Sequence, residues 1–210
     1  MSVEIKVNKT GKTNKFIHDI INSYKKYSTK EERNFDWYVP LCISFVIIII
    51  LILSIGDGTK IISLLKEFNS IVITVVAILA GFNSASLSVI ASSNIKTLGL
   101  LFSSKRGEDS NLLLQTVSLF GYSIIIEILI LMVGIILIFI WNVINSIVSN
   151  IPDTQCYCII VNSVITIIAI PWITVIFHSL FISIRNITIL HNYILLIGKD
   201  AADNNDTNGI

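Results

Sequence analysis

Charge is what this sequence has least of. Asp, Glu, Lys and Arg make up 14% of its 210 residues, where a soluble domain of that length carries about 25%. The deficit is concentrated in long stretches, which is the pattern of membrane spans. The formal net charge is +1, so no global electrostatic attraction for nucleic acid exists. Cysteine is scarce as well. Cys42 opens an apolar run and is expected to be a small buried hydrophobe. "CYC" at 156–158 lacks the four-ligand spacing of a zinc site, and a bridge within it would close a strained small ring. An unpaired or intersubunit role fits those two better.

Catalytic signatures are also missing. There is no nucleotide-binding glycine loop, no zinc-protease helix and no serine–lysine arrangement. "GDG" at 56–58 reads as a turn. An intramembrane aspartyl protease needs paired acids within spans, and Glu127 is the one acidic residue inside an apolar run. Inverted repeats of the kind many carriers use are not apparent. No cleavable signal peptide is visible, because the first apolar run follows a long charged arm without a small-residue cleavage site. An enzyme, a cofactor and a metal are therefore not expected.

What is present is apolar length. A helix needs about 20 apolar residues to cross roughly 30 Å of hydrocarbon, and four segments qualify. They are "WYVPLCISFVIIIILILSIG" (37–56), a mixed segment at 68–93, a long one at 112–144, and 158–184 with Pro171 near its middle. Buried strands run four to eight residues and barrel strands alternate polar with apolar; these runs do neither. The expected fold is an all-α membrane protein with four transmembrane helices over 37–190, an N-terminal arm (1–36) holding an amphipathic cytoplasmic helix, and a polar C-terminal tail (191–210).

Lysine and arginine set the expected orientation. Thirteen fall in residues 1–36, in the 94–111 connection and after the fourth run, against Lys60 and Lys66 between the first two runs. By the positive-inside rule both termini face the cytoplasm, in the inner membrane. In the arm, "KTNKFIHDIINSYKKY" (12–27) gathers Phe16, Ile17, Ile20, Ile21, Tyr24 and Tyr27 on one side of a helix. Such a helix lies on anionic lipid or packs on a neighbour. A sharper reading has Lys12, Lys15, Lys25 and Lys26, with Tyr24 and Tyr27, binding a nucleotide or single-stranded nucleic acid by charge and stacking. The tail from residue 198 has no periodicity and is expected to be disordered.

The second run contains "AILAGFNSASLSVIASS" (77–93), where large side chains give way to small ones. Ser70, Thr74, Ala77, Gly81, Ser84, Ser88 and Ala91 recur at alternating steps of four and three, a heptad seam of small groups, with Asn83 and Ser86 beside it. Small residues let helices approach closely in lipid; alternatively, copies of the helix surround an axis, with hydroxyls and Asn83 lining a hydrated pore. The third run carries Thr116, Ser123, Glu127, Gly134, Trp141 and Asn145 along one side. A carboxylate there costs about 2.5–3.5 kcal/mol on insertion scales and needs a partner, a proton or water. The candidates are His178 or Arg185 from the fourth run, which share a face with Thr174, or the hydroxyls of Ser84 and Ser88. Trp141 and Tyr157 are expected at the outer interface.

The layout (basic arm from Lys6 to Arg33, four spans with both ends inside, and the small-residue second span "AGFNSASLSVIASS") resembles the small four-helix membrane effectors of bacterial anti-phage systems. The Hailong membrane effectors are similar in plan. That resemblance implies a homo-oligomeric channel controlled by a nucleotide or oligonucleotide from a partner enzyme, and it transfers no functional residue. Thr74, Ala77, Gly81, Asn83, Ser84 and Ser88 are then the pore-lining or packing candidates. Glu127, His178 and Arg185 are the gating or polar-pair candidates. The rival expectation is a non-conducting accessory subunit docked on another membrane protein.

Overall fold

The computed structural model describes residues 13–55, 58–103, 111–148 and 155–207. Six helices account for nearly all of them: α1 (Thr13–Tyr27), α2 (Lys30–Ile55), α3 (Gly58–Ala91), α4 (Ile95–Ser103), α5 (Leu112–Val148) and α6 (Gln155–Thr207). No strand occurs among the described residues. Four stretches, Lys30–Ile55, Lys60–Ala91, Leu112–Ile144 and Thr166–Lys199, are long and apolar enough to cross a membrane. The 53 residues of α6 extend about 80 Å at 1.5 Å per residue, far beyond one thickness of hydrocarbon.

Several boundaries differ from the sequence reading. α2 begins at Lys30, so residues 30–36 belong to a spanning helix rather than to the arm. Its start is fixed locally. Thr29 N–H donates to Glu32 Oε2 at 2.9 Å, and Glu32 N–H donates to Thr29 Oγ1 at 3.1 Å, a reciprocal cap that satisfies two otherwise orphaned donors. The disorder expected from residue 198 is not found as far as Thr207, where α6 ends. Leu190, Tyr193 and Leu196 pack with Ile90, Leu101, Phe120 and Leu112, and such packing carries a helix through poor composition.

Two helix pairs form the bundle. α3 packs most extensively on α5, and α2 on α6; the pairs join through α5–α6 and α3–α6 contacts, while α1 and α4 lie against α5. Where α3 meets α5, a Cβ on Gly134 would sit 3.0 Å from Ile73 Cγ1. Glycine there lets the two helices close, and Asn69 Nδ2 donates to Gly134 O at 2.8 Å across the junction. One end of the bundle is filled by Ile48, Ile61, Ile62, Leu65, Leu137, Trp141 and Ile173. Trp141 is thus a core residue at 1% exposure rather than an interfacial anchor, while the side chains of Tyr157 and Asn145 lie outside the described residues.

Polarity is distributed as lipid solvation requires. Asn69, Asn83, Ser123, Glu127, His178, Ser183 and Asn186 are buried, while Leu53, Ile78, Phe139 and Ile167 face outward. Hydrocarbon gives apolar side chains no reason to turn inward, so association falls to small residues and polar groups. Cys42 is correspondingly exposed, not buried, because a small apolar group loses nothing on a lipid-facing surface. Cys156 and Cys158 lie outside the described side chains.

Candidate functional site

At the end of the bundle where α1 lies, a polar corner ties α1, α2, α5 and α6 together. Arg33 Nη1 donates to Lys25 O at 2.5 Å and Ser28 O at 2.8 Å, turning α1 back against α5. Ile20, Ile21 and Tyr24 then pack with Leu119, Tyr122 and Ile182. The Tyr24 ring stacks on Tyr122 with centroids 4.0 Å apart, and its hydroxyl donates to Asp36 Oδ2 at 3.0 Å. Arg185 Nη1 meets the same oxygen at 3.1 Å and Glu32 Oε2 at 3.9 Å. Burial first, and then the charge of Asp36, holds the Tyr24 phenol well above its ordinary value, so it stays a donor in any physiological medium. His178 sits beneath. Its Nδ1 lies 2.7 Å from Asp36 O and its Nε2 3.0 Å from Tyr122 OH. A carbonyl only accepts, so Nδ1 carries the proton and Nε2 receives the phenol hydrogen. Trp37 stacks on the ring at 4.0 Å.

Deeper in, α3, α5 and α6 converge on Glu127. Its Oε1 accepts from Asn83 Nδ2 at 2.6 Å, Ser183 Oγ at 2.8 Å and Ser123 Oγ at 3.1 Å. Asn186 Nδ2 donates to Asn83 Oδ1 at 3.2 Å. Asn83, Ser123, Glu127 and Asn186 are 0% exposed and Ser183 1%. Glu127 Oε2 and Asn186 Oδ1 have no hydrogen-bond partner among the described residues. Beyond this cluster, Trp172 Nε1 donates to Asn69 Oδ1 at 3.2 Å, and Thr174 Oγ1 lies 3.0 Å from Ser44 Oγ. No three of His, Cys, Asp and Glu come together among the described residues as a metal-binding group.

The small-residue seam is on the other side. Ser70, Thr74, Ala77, Gly81, Ser84, Ser88 and Ala91 are all exposed, and a Cβ on Gly81 would meet nothing within 4 Å. Ser70, Thr74 and Ser88 donate to the carbonyls of Lys66, Ser70 and Ser84 in their own helix. Helical geometry at about 100° per residue divides α3 into three faces, each about a third of the circumference. Asn69, Val72, Val76, Asn83, Ser86 and Ile90 point inward; Ile71, Val75, Ile78, Phe82 and Val89 form a large apolar outer face; the small residues make the third.

Several candidates are redistributed by this geometry. Asn83 is not on the stripe: it lies roughly 130° away, inside the bundle. Glu127 bonds neither His178 nor Arg185, because Asp36 occupies both, by its carbonyl and its carboxylate respectively. Nor does it reach Ser84 or Ser88, which face outward. Tyr24 is 2% exposed and cannot stack on a ligand, since Tyr122 covers its ring. Lys15, Lys25 and Lys26 are exposed, Lys26 Nζ lies 5.5 Å from the Tyr27 ring centroid, and Lys12 lies outside the described residues. Sequence reasoning missed Asp36, Tyr122, Ser183 and Asn186. Ser179, Ser183 and Asn186 recur at steps of four and three, the same signal that marked the seam of α3.

Neither a protein family, nor a curated protein, nor a solved structure matches this chain. Its fold defines a class, an all-helical bundle with four helices long and apolar enough to cross a membrane, consistent with a multi-pass membrane protein, and the functional reading rests on its own geometry.

Proposed function

We propose that this protein is a homo-oligomeric channel of the inner membrane, with both termini cytoplasmic, whose α3 helices meet around a shared axis. The observation that carries this is the third face of α3. A helix with one side in its own bundle and the other in lipid needs two kinds of surface, and large apolar residues serve the lipid side well. A separate stripe from Ser70 to Ala91, exposed on the protomer, is suited to close approach by another helix or to water. In a ring, the stripe faces the axis and Ile71, Ile78 and Phe82 bear on the neighbouring copy. Glu127 then acts from behind α3 rather than in the pore.

Following the resemblance in layout, the channel depolarises the membrane in anti-phage defence. A cytoplasmic nucleotide or oligonucleotide made by a partner enzyme acts on the exposed Lys15, Lys25 and Lys26 and the half-buried Tyr27. The positive-inside distribution of Lys and Arg supports that side. A second reading is favoured by the back-bonded hydroxyls. Because Ser70, Thr74 and Ser88 already donate within their own helix, the stripe can dock dry against another membrane protein, as an accessory subunit.

Two measurements separate them. Expression should collapse the membrane potential reported by a voltage-sensitive dye, and Gly81→Leu and Ser84→Leu should each restore it while the protein stays in the membrane. In detergent the chain alone should have the mass of a closed ring. A monomer that causes no leak supports the accessory role, and a leak unchanged in both variants removes α3 from the pore.

A further inference from the structure

The Glu127 cluster has a buried carboxyl group and, among the described residues, no cationic partner. Arg185, the nearest candidate by sequence, is committed to Asp36 and Glu32, and no Lys, Arg or His hydrogen-bonds Glu127 among the described residues. A carboxylate within a membrane is retained only when paired or used. Its neighbours are instead uncharged donors: Asn83 Nδ2, Ser123 Oγ and Ser183 Oγ all donate to Oε1. Glu127, Asn83, Asn186, Ser123 and Ser183 bring together six side-chain oxygens, linked by the hydrogen bonds of one network.

Donors are unevenly shared in that network. Three of them converge on Glu127 Oε1, whereas Oε2 and Asn186 Oδ1 receive none although both are fully buried. A buried acceptor without a donor is unfavourable, and more so when charged. A ligand that only accepts electron density from oxygen satisfies atoms of this kind; a further hydrogen-bond acceptor would not. Hard cations take such all-oxygen sites. One carboxylate balances one positive charge, and a divalent ion would leave an uncompensated charge in hydrocarbon.

We propose that the cluster of Asn83, Ser123, Glu127, Ser183 and Asn186 binds an alkali-metal cation of the sodium class inside each protomer. The site joins α3, α5 and α6, so the ion holds the three helices together. It lies wholly within one bundle and does not depend on the channel reading.

The test uses the full chain purified in detergent, with NaCl replacing choline chloride at constant ionic strength. Its melting temperature should rise saturably with sodium, by on the order of 5 °C at a hundredfold excess over Kd. Glu127→Gln should abolish the sodium dependence. Ser183→Ala, which removes one ligand oxygen and little volume, should move the sodium midpoint about tenfold upward. The proposal is overturned by a wild-type curve that does not distinguish sodium from choline, or by one that follows pH and ignores sodium, as a proton on Glu127 would give. Sodium dependence that survives Glu127→Gln also overturns it, by placing the ion elsewhere. If Glu127→Gln does not fold, an unchanged midpoint in Ser183→Ala rejects the site and a shifted one supports it.

Discussion

Asp36→Ala should release α1 from the bundle while leaving α1 itself intact. Asp36 Oδ2 receives Tyr24 OH at 3.0 Å and forms an ion pair with Arg185 Nη1 at 3.1 Å. These two contacts report on different junctions, because Tyr24 belongs to α1 and Arg185 to α6. Losing a charged acceptor costs a buried hydroxyl about 1.5–3 kcal/mol, and that term falls entirely on α1. Arg185, with 19% of its side chain exposed and Glu32 still 3.9 Å away, loses less, about 1 kcal/mol after solvent screening. That loss falls on the α2–α6 junction. The stack of Tyr24 on Tyr122 and the packing of Ile20 and Ile21 remain, so α1 is weakened but not expelled. At 1.4 kcal/mol per decade, the undocked population should rise about 10- to 100-fold. Amide hydrogen exchange in detergent reads this directly, since local opening sets the rate. Amides 18–27 should exchange faster by that factor, and Tyr24→Phe should reproduce the effect on α1. Exchange of α1 within twofold of wild type in both variants would refute the assigned coupling.

The remaining predictions address the other junctions. Gly134→Val should lower thermal stability by about 1–3 kcal/mol, because its Cβ would sit 3.0 Å from Ile73 Cγ1; melting in detergent checks it, and an unchanged midpoint would mean α3 and α5 are less closely apposed. Asn83→Ala should cost about 1–3 kcal/mol while Ser88→Ala, five residues on, should be nearly silent in a monomer, since its hydroxyl bonds only Ser84 O; comparable losses would contradict the inward placement of Asn83. Docking of α1 should also fall at high pH. The Tyr24 phenol is raised in the folded protein, so its contribution is complete below about pH 10 and is lost as pH climbs beyond that value. Exchange of α1 amides, corrected for intrinsic base catalysis, should therefore accelerate progressively as pH rises above about 10, the value of the free phenol, and Tyr24→Phe should remove the dependence.

The four long helices, the arm helix and the polar side of the third run were legible because they are written in spacing alone, whereas α4, inside the 94–111 connection, was not expected. Thr116, Ser123, Glu127, Gly134 and Trp141 were set on one side of the third run, and all are buried along α5. What spacing does not record is which of two equivalent seams a helix turns inward. On α3 the small seam from Ser70 to Ala91 and the seam through Asn69, Val72, Val76, Asn83 and Ser86 have the same period. The second is buried because Asn69 and Asn83 find partners on α5 and α6, a fact held by three segments together. Partner choice was hidden for the same reason. Arg185 and Glu127 are opposite charges on neighbouring helices, yet Asp36, unremarked at the edge of the first run, captures Arg185 from the α2 side. The extension of α6 was masked by composition, since its late turns depend on Tyr193 and Leu196 meeting α4 and α5.

α3 is the one helix on which the proposed ion site and the proposed subunit contact can act on each other. Its inner face supplies Asn83 to the Glu127 cluster, and its stripe lies across the helix axis from that residue. A rigid helix cannot reposition one face without the other, so any event that reseats Asn83 must turn or tilt the stripe as well. The effect has a sign. A ligand that ties Asn83 to α5 and α6 favours whichever arrangement of the stripe belongs to the closed bundle, by an amount equal to its differential affinity for the two arrangements. By reciprocity, locking copies of α3 together through Gly81 must change the affinity of the Glu127 cluster by the same factor. If the sodium midpoint is identical in monomer and oligomer, the two faces are energetically separate and α3 is only a wall between them.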